Sequence, residues 1–254
     1  MSYYFSEKTW VELEKYIADE AVIILPIGTT EEHGRHLPVS TDAMIARKFG
    51  DELGRALAGK IPVLVMETIN YGFSMSIVRK WPGCPNINPR TFADYIFDIV
   101  DSLVVMGFKK IVMLDCHGNH DCLLRLAMRE IADKHNVYTM TLSPFQLSAN
   151  LYNEIKDDPA GDIHGGEWET SWVLAIDPGL VNEKEYTGVD AIRCNTILRG
   201  PVSTWGLQDT KTGLFGDPTT ASAEKGKALI SEAVKQGLIY IEEYNSWFNS
   251  KHYQ

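Results

Sequence analysis

Between residues 25 and 43 the chain reads LPIGTTEEHGRHLPVSTDA, which sets Glu31, His33 and Asp42 behind an apolar run. The turn DCHGNH at 115–120 adds His117. Carboxylates and imidazoles without a thiolate are the ligands a hard or borderline divalent metal takes. Glu31 and His33 are separated by one residue, and in extended backbone such side chains share a face, so both can point into one cavity. Asp42 stands at a predicted helix start, from which its carboxylate can turn back toward the loop and bridge two ions. An aspartate between a Glu–His pair and a second His would set two cations about 3.5–4 Å apart, activating water and polarising a carbonyl. The plain alternative is an acidic surface loop with capping residues and solvated histidines. Gly34, Pro38, the apolar run and the second cluster weigh against it. A further cluster, DIHGGEWETSW at 162–172, puts His164 before a Gly–Gly turn, with Glu167 and Glu169 opening a helix that ends before Pro178. Glu167 suits a helix N-terminus, where the dipole favours an anion. His164, beside glycines that allow close backbone approach, is a candidate for substrate contact or proton transfer.

These residues need elements to hold them. Residues 21–28 form a nearly all-apolar run ending at Gly28, as a buried parallel strand does. Helical spacing over 42–58 follows, then strand and loop over 61–72. Residues 88–108 read as a helix with Pro89 at its first position and Gly107 near its end. Residues 109–120 read as a second buried strand running into a polar turn, 121–136 as helix and 137–145 as strand. A long amphipathic helix closes the chain over 220–247. Alternating strands and helices imply an α/β three-layer sandwich, a mostly parallel sheet flanked by helices. Ligands bind beyond the carboxyl ends of such strands, which is where the polar clusters after residues 28 and 114 fall.

No repeat or linker divides the 254 residues, so one domain over 1–254 is expected. A formal charge of −10 argues against a nucleic-acid partner, which would need a basic face. No run approaches a membrane span and the N-terminus lacks a signal-peptide core. Cys84, Cys116, Cys122 and Cys194 form no C-x-x-C pair and read as free thiols in a reducing cytoplasm.

Four motifs in order, LPIGTTEEHGRHLPVSTD, DCHGNH, HGGEWETS and LFGDPTTASAEKGKALI, together resemble the creatininase (creatinine amidohydrolase) family over nearly the whole chain. The resemblance implies a three-layer α/β fold with two divalent metal ions, zinc first and manganese or iron as alternatives, often in a homohexamer. It implies that Glu31 and His117 bind one metal and His33 the other, with Asp42 bridging and His164 acting in proton transfer. The chain also departs from the pattern, and so is similar to the family as a divergent member rather than as creatininase itself. Asn119 stands where a glutamate is expected. If two metals bind, another carboxylate must serve: Glu169 is the choice, over Glu167 and Asp121. Ile163 replaces an acidic residue before His164. Pro144 and Phe145 occupy a region where a tryptophan is expected, and the loop at 74–86 keeps a W-P-G core with Lys80 and Trp81.

The implied reaction is hydrolysis of an amide-type C–N bond in a cyclic amide or formamide. A metal-held hydroxide would attack, and His164 would pass a proton to the leaving nitrogen. The alternatives are a ring-opening hydrolase of an oxidised inositol, served by Arg79, Lys80 and Asn86, and a metal-binding module without catalysis. Trp81 and Trp168 are candidate pocket-lining residues, with core packing the alternative. His36 is expected to orient ligands by hydrogen bonding, or else to be solvated. Glu32 and Arg35 are expected at the surface or behind the ligands.

Overall fold

In a computed structural model describing residues 2–159, 164–187 and 209–248, four parallel strands run between two helical layers. Ile163 and Cys194 lie outside the described residues. In chain order these are α1 (Trp10–Ala18), β1 (Val22–Ile27), α2 (Thr41–Leu57), β2 (Val63–Val65), α3 (Pro89–Met106) and β3 (Lys110–Asp115). There follow α4 (Asp121–His135), β4 (Met140–Leu142), α5 (Pro144–Ile155), α6 (Glu167–Ile176) and α7 (Ala223–Phe248). The sheet order is β2-β1-β3-β4.

Every residue of β1 and β3 is buried, so successive side chains feed opposite faces of the sheet. Val22, Ile24, Val112 and Leu114 enter one core with Phe49, Trp172 and Leu229 from α2, α6 and α7. Ile23, Leu25, Ile111 and Met113 enter the other with Phe92, Ile96 and Leu124 from α3 and α4. The expected three layers follow directly from this two-sided burial. Pairing of Ile27 with Asp115 brings the carboxyl ends of β1 and β3 side by side, and the loops that leave them begin together.

One expectation needs correction, and one helix is new. The strand expected over 137–145 is only Met140–Leu142. Pro144, whose fixed φ and missing N–H suit a helix start, opens α5 instead, and Phe145 stacks on Trp172 at 4.7 Å. Helix α1 was not read from the sequence, although Thr9 and Glu12 make a reciprocal capping box at its start.

Gly28 closes β1 against α2. A Cβ there would lie 2.6 Å from both the N and Cα of Ala43, backbone atoms that cannot swing aside. Gly28→Val should therefore destabilise the protein by about 3 kcal/mol or more, read as a lower urea midpoint. A midpoint within error of the parent would contradict this packing.

Candidate metal centre

The loop after β1 carries Glu31 and His33, the first turn of α2 carries Asp42, and the turn after β3 carries His117. Helix α6 brings Glu169, and the turn before it His164. All six are buried, none more than 7% exposed. Their ligand atoms fall into overlapping sets, each within 4.8 Å: Glu31, Asp42 and His117; His33, Asp42 and Glu169; and Glu31, His33 and His164.

Asp42 joins the first two sets. Its Oδ1 is 3.2 Å from His33 Nε2, and its Oδ2 is 3.0 Å from His117 Nδ1. Glu169 Oε1 lies 3.7 Å from His33 Nε2, and Glu31 Oε2 lies 3.6 Å from His117 Nε2. His33 Nδ1 is 3.2 Å from the Glu31 carbonyl and Nε2 is 3.2 Å from Asp42 Oδ1; both oxygens can only accept, so without a cation each ring nitrogen carries a hydrogen, and the one on Nε2 is the one a metal would replace. A carbonyl also anchors His164. Its Nε2 donates to the Glu32 carbonyl at 2.6 Å, leaving Nδ1 3.6 Å from Glu31 Oε1. Gly165, at φ +67°, lets this turn close on the His33 loop, since a Cβ would lie 3.1 Å from the His33 carbonyl.

Electrostatics show what the cage lacks. Burial alone would discharge His33, yet Asp42, Glu169 and Glu31 outweigh it and hold the ring's pKa well above the usual value. Burial is likewise overcome at His117, where Glu31 and Asp42 push the pKa up to about 9. Asp42 is held below the carboxylate range because His33 and His117 offset its burial. Burial raises the Glu169 carboxyl, with His33 and His164 opposing. Glu31 Oε2 and Asp42 Oδ2 are buried without a hydrogen-bond partner, Oδ2 being near His117 but without bonding geometry. Buried anionic oxygens left unpaired among neutralising imidazoles fit divalent cations, whose charge protons otherwise have to supply.

The remaining sequence candidates separate cleanly. Asp121 is at the surface, paired with Arg125 at 2.9 Å. Glu167 is buried but spent on structure, accepting from the Asp157 and Asp158 amides and pairing with Lys225. Glu169 sits in the His33 half of the cage, whereas Asn119 Nδ2 contacts His117 Nε2 at 3.2 Å in the other half. Trp168 is not brought among the cage residues; it stacks on Tyr152 at 4.0 Å within a core cluster. Trp81 is half-buried on the loop after β2. His36 is buried, 2.8 Å from the Thr170 hydroxyl, and burial followed by His33 lowers its pKa to about 4. Arg35 lies on the surface with Glu185, as expected.

Glu32 takes the second of the two places expected for it, behind the ligands. It is buried, accepts from the Gly34 amide at 2.8 Å and lies 3.5 Å from His164. Adjacent carboxylates in extended backbone would ordinarily point apart, so only the loop's tight turn at Gly34 signals this placement. His120 also escaped the sequence reading and is fully buried beside His117.

A parallel sheet in three layers, with a buried carboxylate–imidazole cage beyond its strand ends, defines an α/β protein built to hold divalent cations. The chain belongs to the creatininase family, whose model, described as creatinine amidohydrolase, matches residues 6–239. A 3-dehydro-scyllo-inosose hydrolase of Thermotoga maritima is 25% identical over 267 residues, covering 94% of this chain and 81% of its own. The creatinine amidohydrolase of Pseudomonas putida is 26% identical over 268 residues, covering 93% of this chain and 95% of its own. A mutant creatininase of Zn-Zn type shares the fold at a TM-score of 0.81 and 24% identity, over 96% of this chain and 98% of its own. A Mn creatininase matches at the same TM-score, identity and coverage.

Proposed function

We propose that this chain is a dinuclear-metal hydrolase of a small polar molecule, with Glu31, Asp42 and His117 holding one cation and His33, Asp42 and Glu169 the other. The observation that carries the reading is Asp42, whose two oxygens face the two ligand sets separately. Zinc is the first choice, with manganese or iron accepting the same donors. What such a pair of cations supplies is Lewis acidity and a more acidic water. The chain's own residues do the rest. The cage excludes bulk water, which strengthens every charge interaction inside it. His164, anchored through Nε2, is left to accept and return a proton at Nδ1.

Hydrolysis of an amide-type C–N bond in a cyclic amide or formamide is the primary reading. Opening of a keto-inositol ring is the second, favoured by similarity to the inosose hydrolase along 94% of the chain. The neutral Asn119 amide beside His117 also suits an uncharged polyol. A homo-oligomer, hexameric by family resemblance, and a cytoplasmic location belong to the same proposal. Among the described residues no helix is long and apolar enough to cross a membrane.

The test combines metal analysis with turnover. Glu169→Gln should lower bound metal by about one equivalent, while Asp121→Asn leaves it unchanged. Equal metal content in the two variants would contradict the assignment. Lactams, formamides and keto-inositols should then be screened with zinc or manganese. Turnover of a keto-inositol alone would select the second reading. No turnover at full metal occupancy would favour a non-catalytic module.

A further inference from the structure

The segment from Gly72 to Ile87, called the roof loop below, packs against the residues that carry the cage. Its base is closed by Ile87 N–H donating to Gly72 O at 2.9 Å and Ser74 N–H to Asn86 Oδ1 at 2.9 Å. On one side Ile77 and Val78 pack against buried Phe215, whose amide donates to the His164 carbonyl at 2.9 Å. In the middle Gly83 presses on Val39, whose carbonyl accepts from the Glu31 amide at 3.0 Å. The other side rests on His120.

The hydrolase reading gives His120 no duty, and its surroundings supply one. His120 Nε2 accepts the Phe73 amide at 3.1 Å, so its hydrogen lies on Nδ1, which faces Asp115 Oδ1 at 3.5 Å. That same Asp115 oxygen accepts the His117 amide at 3.2 Å. The ring stacks on Phe92 at 4.2 Å and meets His117 edge-on at 4.6 Å. Gly72 must lack a side chain here, because a Cβ would lie 2.3 Å from His120 Nε2. One buried imidazole thus links the turn that carries a cage histidine to the roof that carries Arg79, Lys80 and Trp81.

We propose that His120 is a positioning residue that sets the roof loop, and with it the substrate-facing surface, relative to the cage. The kinetic consequence rests on the hydrolase reading; the placement of the loop does not. Two variants of the zinc-loaded full chain separate the contributions. His120→Phe keeps the stack on Phe92 and removes the acceptor, whereas His120→Gln keeps an acceptor. Native-state trypsin cleavage after exposed Arg79 and Lys80 should be about tenfold faster in His120→Phe than in the parent, the scale of one lost buried hydrogen bond. His120→Gln should stay near the parent rate, and all three proteins should hold equal metal. On any substrate the screen finds, KM should rise about tenfold in His120→Phe with kcat retained.

Equal cleavage in parent and His120→Phe would overturn the proposal, as would loss of metal alongside faster cleavage, or a His120→Gln that behaves like His120→Phe. An unchanged KM would overturn it too. If His120→Phe does not fold, hydrogen exchange in the parent decides: the Phe73 amide should exchange about 100-fold slower than in free chain, and free-chain exchange would refute the link. Failure to find any substrate bears on the hydrolase reading alone.

Discussion

Asp42→Ala should empty both halves of the cage together, taking bound zinc from about two equivalents to below one and lowering turnover by more than about 100-fold. The size follows from a comparison of roles. Groups that merely orient a ligand typically cost about 10–100-fold in affinity or activity when removed, and Asp42 stands in direct reach of both ligand sets. Its Oδ1 faces His33 and its Oδ2 faces His117, while Glu31 and Glu169 each face one of those two histidines. Removing Glu169 should therefore cost one half, and removing Asp42 both. The fold should survive. Asp42 sits in the first turn of α2, where its helix-dipole contribution is only about 0.3–1 kcal/mol, and the helix is held by Ile45, Phe49, Leu53 and Leu57 in the core. Elemental analysis after dialysis, with circular dichroism as a control on folding, reads the effect. Retention of a full equivalent at either half in folded Asp42→Ala would refute the bridging role.

Sequence legibility tracked how local the determining physics is. β1 and β3 were readable because strands buried on both faces are apolar throughout, and only short runs ending in Gly28 or a polar turn fit that pattern. Glu31, His33, Asp42 and His117 were readable because their chemistry and their place after strand ends point the same way. For Glu32 the surface and a place behind the ligands both stayed open, because nothing in two adjacent glutamates says that a turn at Gly34 folds the second one inward. His120 was missed for a related reason: its partners, the Phe73 amide and the Phe92 ring, come from distant segments joined only in the fold. The β4 and α5 boundary was lost because Val137–Thr141 has strand composition, while three residues suffice for an edge strand before Pro144 starts a helix. Local pattern thus located the ligands, and tertiary packing decided which neighbours support them.

The metal-free protein should lose stability as pH rises from about 6.5 through about 9, and bound metal should abolish that loss. His117 is raised from 6.5 to about 9 in the folded state by Glu31 and Asp42 acting against burial. A group whose folded pKa exceeds its unfolded one stabilises fully below the unfolded value, and that stability disappears as pH passes the folded value. His33 is raised in the same direction by Asp42 and Glu169 acting against burial. Glu169, raised chiefly by burial, has the same sign, its contribution falling away from the ordinary carboxylate range upward as pH passes its raised pKa. Asp42 sets the opposite limit. Its pKa is depressed by His33 and His117 against burial, so its contribution is present above the ordinary carboxylate range and lost as pH falls through the depressed value. For His117 alone the alkaline loss is on the order of 3 kcal/mol. A cation in the cage takes the place of the protons on these imidazoles, so its affinity grows over the same range in which they are released. Thermal unfolding with chelator and with zinc, at steps from pH 6 to pH 9, should show a gap in Tm that widens by about 5–10 °C. A gap that is flat or narrows with pH would mean that protons and metal do not compete for His33 and His117, and the cage would then have to bind its cations through carboxylates alone.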